Sequence, residues 1–180
     1  MSTTHSVIRV SDLDGYHEKV FNLVGDRNPL EILAQTASTL GDIVARHSAA
    51  LLRSRPFDRK WTANEVIGHL TDSERVYGYR LRLILCEDAP AILGTKQALW
   101  VSALRHNERE PSELVEIFRT LRQFNLAVWK RMAHEDFERT GQHNERGPES
   151  LSMMLRLLAG HDLSHLAQIT CYIEAAQQQE

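Results

Sequence analysis

The sequence predicts an all-α fold, a four-helix bundle, on three observations. First, the chain has 180 residues, enough for one domain with its own core, and is 42% hydrophobic and 25% charged, which excludes disorder and fibrous repeats. Second, apolar residues recur at three-, four- and seven-residue spacings over four long stretches, while no segment reads as a strand. Third, the five prolines, Pro29, Pro56, Pro90, Pro111 and Pro148, all fall at edges, where the missing amide hydrogen does least harm. Amphipathic helices of this length bury their stripes only against one another.

The elements follow in order. Residues 1–27 form an N-terminal segment, with a short helix from Tyr16 to Val24 packed on the bundle, and residues 28–180 form the bundle itself. Asn28-Pro29-Leu30-Glu31 supplies an Asn N-cap with Pro at the first helical position. From it Leu30, Leu33, Ala37, Leu40, Val44 and Leu51 trace one face of a helix ending near Arg53. Thr62-Ala63-Asn64-Glu65 is a capping box that opens the second helix, whose inward positions include Val66, Ile67, Leu70, Tyr77, Leu81, Ile84 and Leu85. The connection from Glu87 to Glu110, with a short helix between Lys96 and Leu104, is long for a compact bundle and is expected to cover one end or carry function. Ser112 is expected to cap a third helix carrying Leu114, Ile117, Phe118, Leu121, Leu126 and Trp129, ending near Ala133. His134 to Gly147 is polar and reads as a loop, and a fourth helix runs from Pro148–Ser150 to about Ala176.

Composition narrows the function. Lys and Arg number 21 against 24 Asp and Glu, a formal net charge of −3, and no basic stripe exists for a phosphate backbone, so nucleic acid is not an expected partner. Apolar runs stop at about four residues, too short for a membrane span. Met1 to Val10 lacks a signal peptide's charged start and apolar stretch. Cys86 and Cys171 form no C-x-x-C motif and no disulfide framework. The expected location is the cytoplasm.

Nine histidines are present, and His5, His17, His47, His106 and His134 sit in polar or terminal contexts that read as solvated. His161 and His165, four residues apart, share a helix face with Met154, Leu158 and Tyr172, which points them inward. Two buried imidazoles each need a partner, and neither can charge cheaply. A shared metal ion meets that cost, as would backbone or water partners. His69, at the edge of the second helix's apolar stripe, is the natural third ligand, giving three neutral nitrogens and an open position. Cys171 lies too far round the helix to be a fourth, and the absence of Glu-x-x-His argues against a di-iron carboxylate site.

At these residues the sequence resembles the DinB-like family of bacterial four-helix-bundle proteins, described as metal-dependent hydrolases. Trp61 to Glu74, containing Gly68-His69-Leu70, is similar to the family's second-helix signature, and Ala159 to Ile169, containing Gly160-His161-Asp162-Leu163-Ser164-His165, to its fourth-helix signature. The resemblance covers about Asn28 to Tyr172. It implies a metal triad of His69, His161 and His165 holding a divalent ion, zinc first and nickel second, and a homodimer. Characterised relatives include transferases and isomerases that use low-molecular-weight thiols, so a small-molecule substrate is implied. Between Pro90 and Val101 the sequence departs from the family near Lys96 and Ala98, so no substrate contacts are carried over from that segment.

Two functions are therefore expected. One is a metal-dependent hydrolase or thiol-dependent transferase, in which a tris-imidazole zinc brings the pKa of bound water from 15.7 to about 7 or lowers that of a bound thiol. The other is a non-catalytic, stress-associated metal-binding module in which the ion pins two helices together. Asp72 and Asp162 are the candidates for orienting imidazole N–H groups or moving protons. Arg80 and Arg82 read as a solvated face, with an anionic substrate as their other use.

Overall fold

The computed structural model describes residues 15–179. Among them are seven α-helices: α1 (Gly15–Val24), α2 (Pro29–Arg46), α3 (Ala49–Arg53), α4 (Ala63–Cys86), α5 (Gln97–Ala103), α6 (Pro111–Trp129) and α7 (Leu151–Gln177). The four long ones, α2, α4, α6 and α7, make the expected bundle.

Their starts are written in side chains. Asn28 accepts from Leu30 N, with Pro29 at the first helical position. Thr62 and Glu65 form the reciprocal capping box of α4, at 3.1 Å and 2.7 Å. Ser150 caps α7 through Met153 N. Two boundaries differ from expectation. The apolar register that runs on to Leu51 hides a break, because His47 and Ser48 are extended and Ser48 opens the separate helix α3. Helix α6 begins at Pro111 after Glu110, not at a Ser112 cap, since proline's fixed φ and absent amide suit the first helical position.

The direction of each helix explains the long connection. Going up α4, Thr71 meets Leu114, Glu74 meets Arg122 and Gly78 meets Asn125, so α4 and α6 run parallel. Leu33 and Gly41 of α2 meet Arg122 and Arg119 respectively, so α2 and α6 are antiparallel. One core cluster joins Val66 and Leu70 to Ile169 and Ile173, and another joins Leu81 and Ile84 to Leu151 and Met154, making α4 and α7 antiparallel. Two consecutive long helices that point the same way need a return path as long as the bundle. Residues 87–110 are that path, carrying α5 where a short helix was expected.

One expectation fails outright. The described residues contain a three-stranded sheet in the order β1 (Ala91–Ile92), β2 (Thr140–His143), β3 (Gly147–Ser150). Strands β2 and β3 form an antiparallel hairpin, Thr140 opposite Ser150 and His143 opposite Gly147. Gly147, at φ 80°, opens β3 in the left-handed conformation that closes the three-residue hairpin loop. Strand β1 adds in parallel on β2. The segments Thr-Gly-Gln-His and Gly-Pro-Glu-Ser carry almost no strand propensity; pairing and the packing of Gly141 on Ile84 impose the conformation.

Helix α1 docks where Gly160 leaves room. A Cβ at Gly160 would run into the backbone carbonyl of Val20, so this close approach requires glycine. Val20 and Phe21 pack there with Met153 and Leu157 of α7. No helix of the described residues is long and apolar enough to cross a membrane.

Candidate metal centre

His69 lies two turns into α4, and His161 and His165 lie one turn apart on α7. All three are buried, and one ligand atom from each falls within 4.8 Å of the other two. The His69 and His161 Nε2 atoms face each other at 3.0 Å, and ring centroids are 4.4 Å to 5.0 Å apart. Thus the structure brings together the three histidines that the sequence singled out.

Electrostatics keeps these rings neutral. Burial, with the neighbouring His165 and His106, pushes His69 down to about 3. Burial acts on His161 too, together with His165, His69 and Arg122, and holds it well below its usual value. His165 is lowered by burial, against an opposing hydrogen bond from Gln168. Neutral imidazole is the form that binds a metal.

The donor set fits a divalent ion. His165 Nδ1–H donates to Gln168 Oε1 at 2.7 Å, and Gln168 Nε2–H donates to the Tyr172 hydroxyl at 2.8 Å. That chain fixes the tautomer and leaves the His165 Nε2 lone pair free for the centre. Two nitrogens each about 2.1 Å from one tetrahedral zinc lie about 3.4 Å apart, close to the observed facing of His69 and His161. Among the described residues no carboxylate or thiol joins the cluster, so an ion held by three imidazoles would keep a position open.

The two candidate acids face elsewhere. Asp72 Oδ2 accepts from His106 Nε2–H at 2.7 Å. It orients an imidazole, but His106 rather than a member of the triad. Asp162 Oδ2 accepts from Arg122 at 2.7 Å and from the Thr36 hydroxyl at 2.7 Å. Arg122 also holds Glu74 Oε2 through Nε, at 2.8 Å, and the Leu33 carbonyl, while Asn125 donates to Glu74 Oε1 at 2.8 Å. The resulting buried network touches all four long helices beside the triad.

Sequence reasoning placed His106 in solvent, and the structure corrects this. The residue is 3% exposed, in a 3₁₀ turn (His106–Glu108) whose main chain is held by Asn64, at 2.9 Å from both the His106 and Arg109 carbonyls. Its ring lies where a Cβ on Gly68 would be. A glycine in mid-helix beside His69 was the available signal, because it marks a close approach. Arg80 is likewise buried, not on a solvated face.

Comparison with known proteins agrees with this architecture. The sequence pattern of the DinB superfamily matches residues 32–169. A protein of Oceanobacillus iheyensis named "Putative metal-dependent hydrolase" is 31% identical over 111 residues, 61% of this chain and 63% of its own length. The chain therefore spans just under two thirds of that relative. YfiT of Bacillus subtilis, with the same description, is 25% identical over 142 residues, 78% of this chain and 80% of its own length. The solved YfiT structure, noted for an unusual four-helix bundle topology, superposes with a TM-score of 0.75 at 21% identity, covering 99% of this chain and 93% of that one. A mycothiol-dependent maleylpyruvate isomerase shares the fold at a TM-score of 0.63 and 12% identity, covering 91% of this chain and 63% of that one. With its parallel α4 and α6, its buried histidine cluster and a match over most of its length, the chain belongs to the DinB superfamily.

Proposed function

We propose that this protein is a metal-dependent enzyme acting on a small molecule, either a hydrolase or a thiol-dependent transferase. His69, His161 and His165 would hold the ion, with zinc the best fit to three imidazoles and nickel the second choice. The observation that carries the reading is three neutral imidazoles converging from two helices with no fourth protein ligand among the described residues.

A bound divalent ion supplies Lewis acidity at its open position. The chain's own residues do the rest. Gln168 and Tyr172 hold the His165 ring in one tautomer. We assign Asp72 to positioning His106 against the His69 turn, and Asp162 to anchoring α7 beside His161. The thiol alternative is supported by the mycothiol-dependent isomerase that shares the fold. The reading also takes the protein to be a cytoplasmic homodimer.

Elemental analysis of untagged protein tests the centre. Wild type is expected to carry about one zinc or nickel per chain, and His165→Ala less than a tenth of that. A full equivalent retained by His165→Ala overturns the triad. If chelation melts the bundle while ester, amide and thiol-conjugation substrates all go unturned, the ion pins two helices and the enzyme reading fails.

A further inference from the structure

An apolar cleft of about 470 Å³ opens beside the second half of α4, and none of the three triad histidines lines it. Three stretches of chain build it. Helix α4 supplies Val76, Tyr79 and Leu83, spaced three and four residues apart and therefore on one face. The segment 91–95, which contains β1, supplies Ile92 and Leu93, and α5 supplies Trp100. The volume falls in the range of small-molecule sites, about 300–1,000 Å³.

The wall formed by residues 91–95 is tied down through its main chain. Strand β1 pairs with β2, and the Ile92 carbonyl accepts from the Asn144 amide at 3.1 Å. The Leu93 carbonyl accepts from the buried Arg80 guanidinium, and the Gly94 amide donates to Asn144 Oδ1 at 2.7 Å. Three consecutive residues are thus fixed, yet the Leu93 side chain stays 68% exposed. Tyr79, at 64%, and Trp100, at 39%, line the same space. Single exposed apolar residues are ordinary on a protein surface. Three large ones converging on one concavity mark a place where something binds, and covering them would stabilise a complex by about 25 cal/mol for each Å² removed from water.

The chemistry of the walls selects the occupant. The rings of Tyr79 and Trp100 and the guanidiniums of Arg75 and Arg80 border the cleft together. Among the described residues no carboxylate lines it; Glu145, which acts on Arg80, meets Gly94 without bordering the space. Aromatic faces stack on indole and phenol rings and attract guanidinium groups. A cationic ligand would meet two like charges, and an alkyl chain would leave rings and guanidiniums unused. We propose that this cleft binds a small planar aromatic molecule, stacked against Trp100 and Tyr79 and enclosed by Val76, Leu83 and Leu93. This site goes beyond the chemistry at the triad, needs no metal ion, and stands or falls independently of it.

The test titrates the full-length protein, as purified and after chelation, with 2-naphthol and with its saturated counterpart decahydro-2-naphthol. The Trp100 indole N–H and the Leu93 and Val76 methyl resonances are followed by NMR. 2-Naphthol is expected to shift all three saturably, with Kd near or below about 1 mM, and equally after chelation. The saturated compound is expected to bind at least about fivefold more weakly, having no π face. Trp100→Leu and Tyr79→Ala, both at exposed positions, should each weaken 2-naphthol about fivefold while melting as wild type does. No saturation, equal affinity for the two compounds, or an unchanged Kd in both variants overturns the site. Loss of binding on chelation would place the ligand on the metal, and overturns it too. So does a sedimentation shift to dimer, without ligand, that broadens the Leu93 and Trp100 signals and excludes 2-naphthol, because a second copy of the chain would then fill the cleft.

Discussion

Two buried polar assemblies sit side by side on α7 and are built on opposite plans. The triad is uncharged: three imidazoles held neutral by burial, with the His69 and His161 Nε2 atoms facing each other at 3.0 Å. Its neighbour is ionic, with Arg122 between Glu74 and Asp162, both at 2.7 Å, while Thr36 donates to Asp162 and Asn125 to Glu74. The two meet at neighbouring positions, since His161 belongs to the first and Asp162 to the second. The ionic group spends most of its bonding on other buried residues and ties the four long helices together. The triad instead brings one ring nitrogen of each histidine to within 4.8 Å of the other two. Stability and ligand capacity are thus divided between adjacent residues.

The largest effect should come from breaking the ionic side. Arg122→Met strands two buried carboxylates, and a loss of about 3–5 kcal/mol is expected in urea denaturation. A loss below about 1 kcal/mol would mean the network does not organise the bundle. Acid should expose the other side. Because His69 sits at about 3 in the fold against 6.5 unfolded, the folded state binds fewer protons, so its contribution is complete above pH 6.5 and is lost as pH falls toward 3. Metal-free protein should lose up to about 1.4 kcal/mol per pH unit per such histidine across that window. His69→Gln should flatten the slope, and an unchanged slope would place the titration elsewhere.

Packing around the triad gives smaller effects. Gly160→Ala forces α1 away from α7, with an expected cost of about 1–3 kcal/mol and faster proteolysis near Val20. Asp72→Asn keeps a hydrogen-bonding group against His106 but removes its charge, and about 1 kcal/mol is expected. Metal content should survive that change, so its loss would show that His106 positions His69 directly.

The helices and the triad were legible in the sequence because both rest on short-range rules. Capping residues sit beside the helices they start, and His161 and His165 lie one turn apart on a periodic apolar face. What escaped depends on distant partners. His106 looks solvated among Arg105, Asn107 and Glu108, and only the packing of its turn on Gly68 buries it. Arg122 reads as one more polar position of α6 until Glu74, Asp162 and Leu33 converge on it. The strands escaped for the same reason, since Gly-Pro-Glu-Ser pairs only because Thr-Gly-Gln-His lies opposite.

The parallel pairing of β1 with β2 has a mechanical corollary. It ties residues after α4 to residues after α6, so the two longest excursions from the bundle are stitched together at one end. Pulling on either should tug on the other, and through Arg80 and the Leu93 carbonyl on α4 itself. Insertions in one excursion should therefore be felt in the other, and a graft that lengthens the chain between Ile92 and Gln97 is tolerable only if the seam holds.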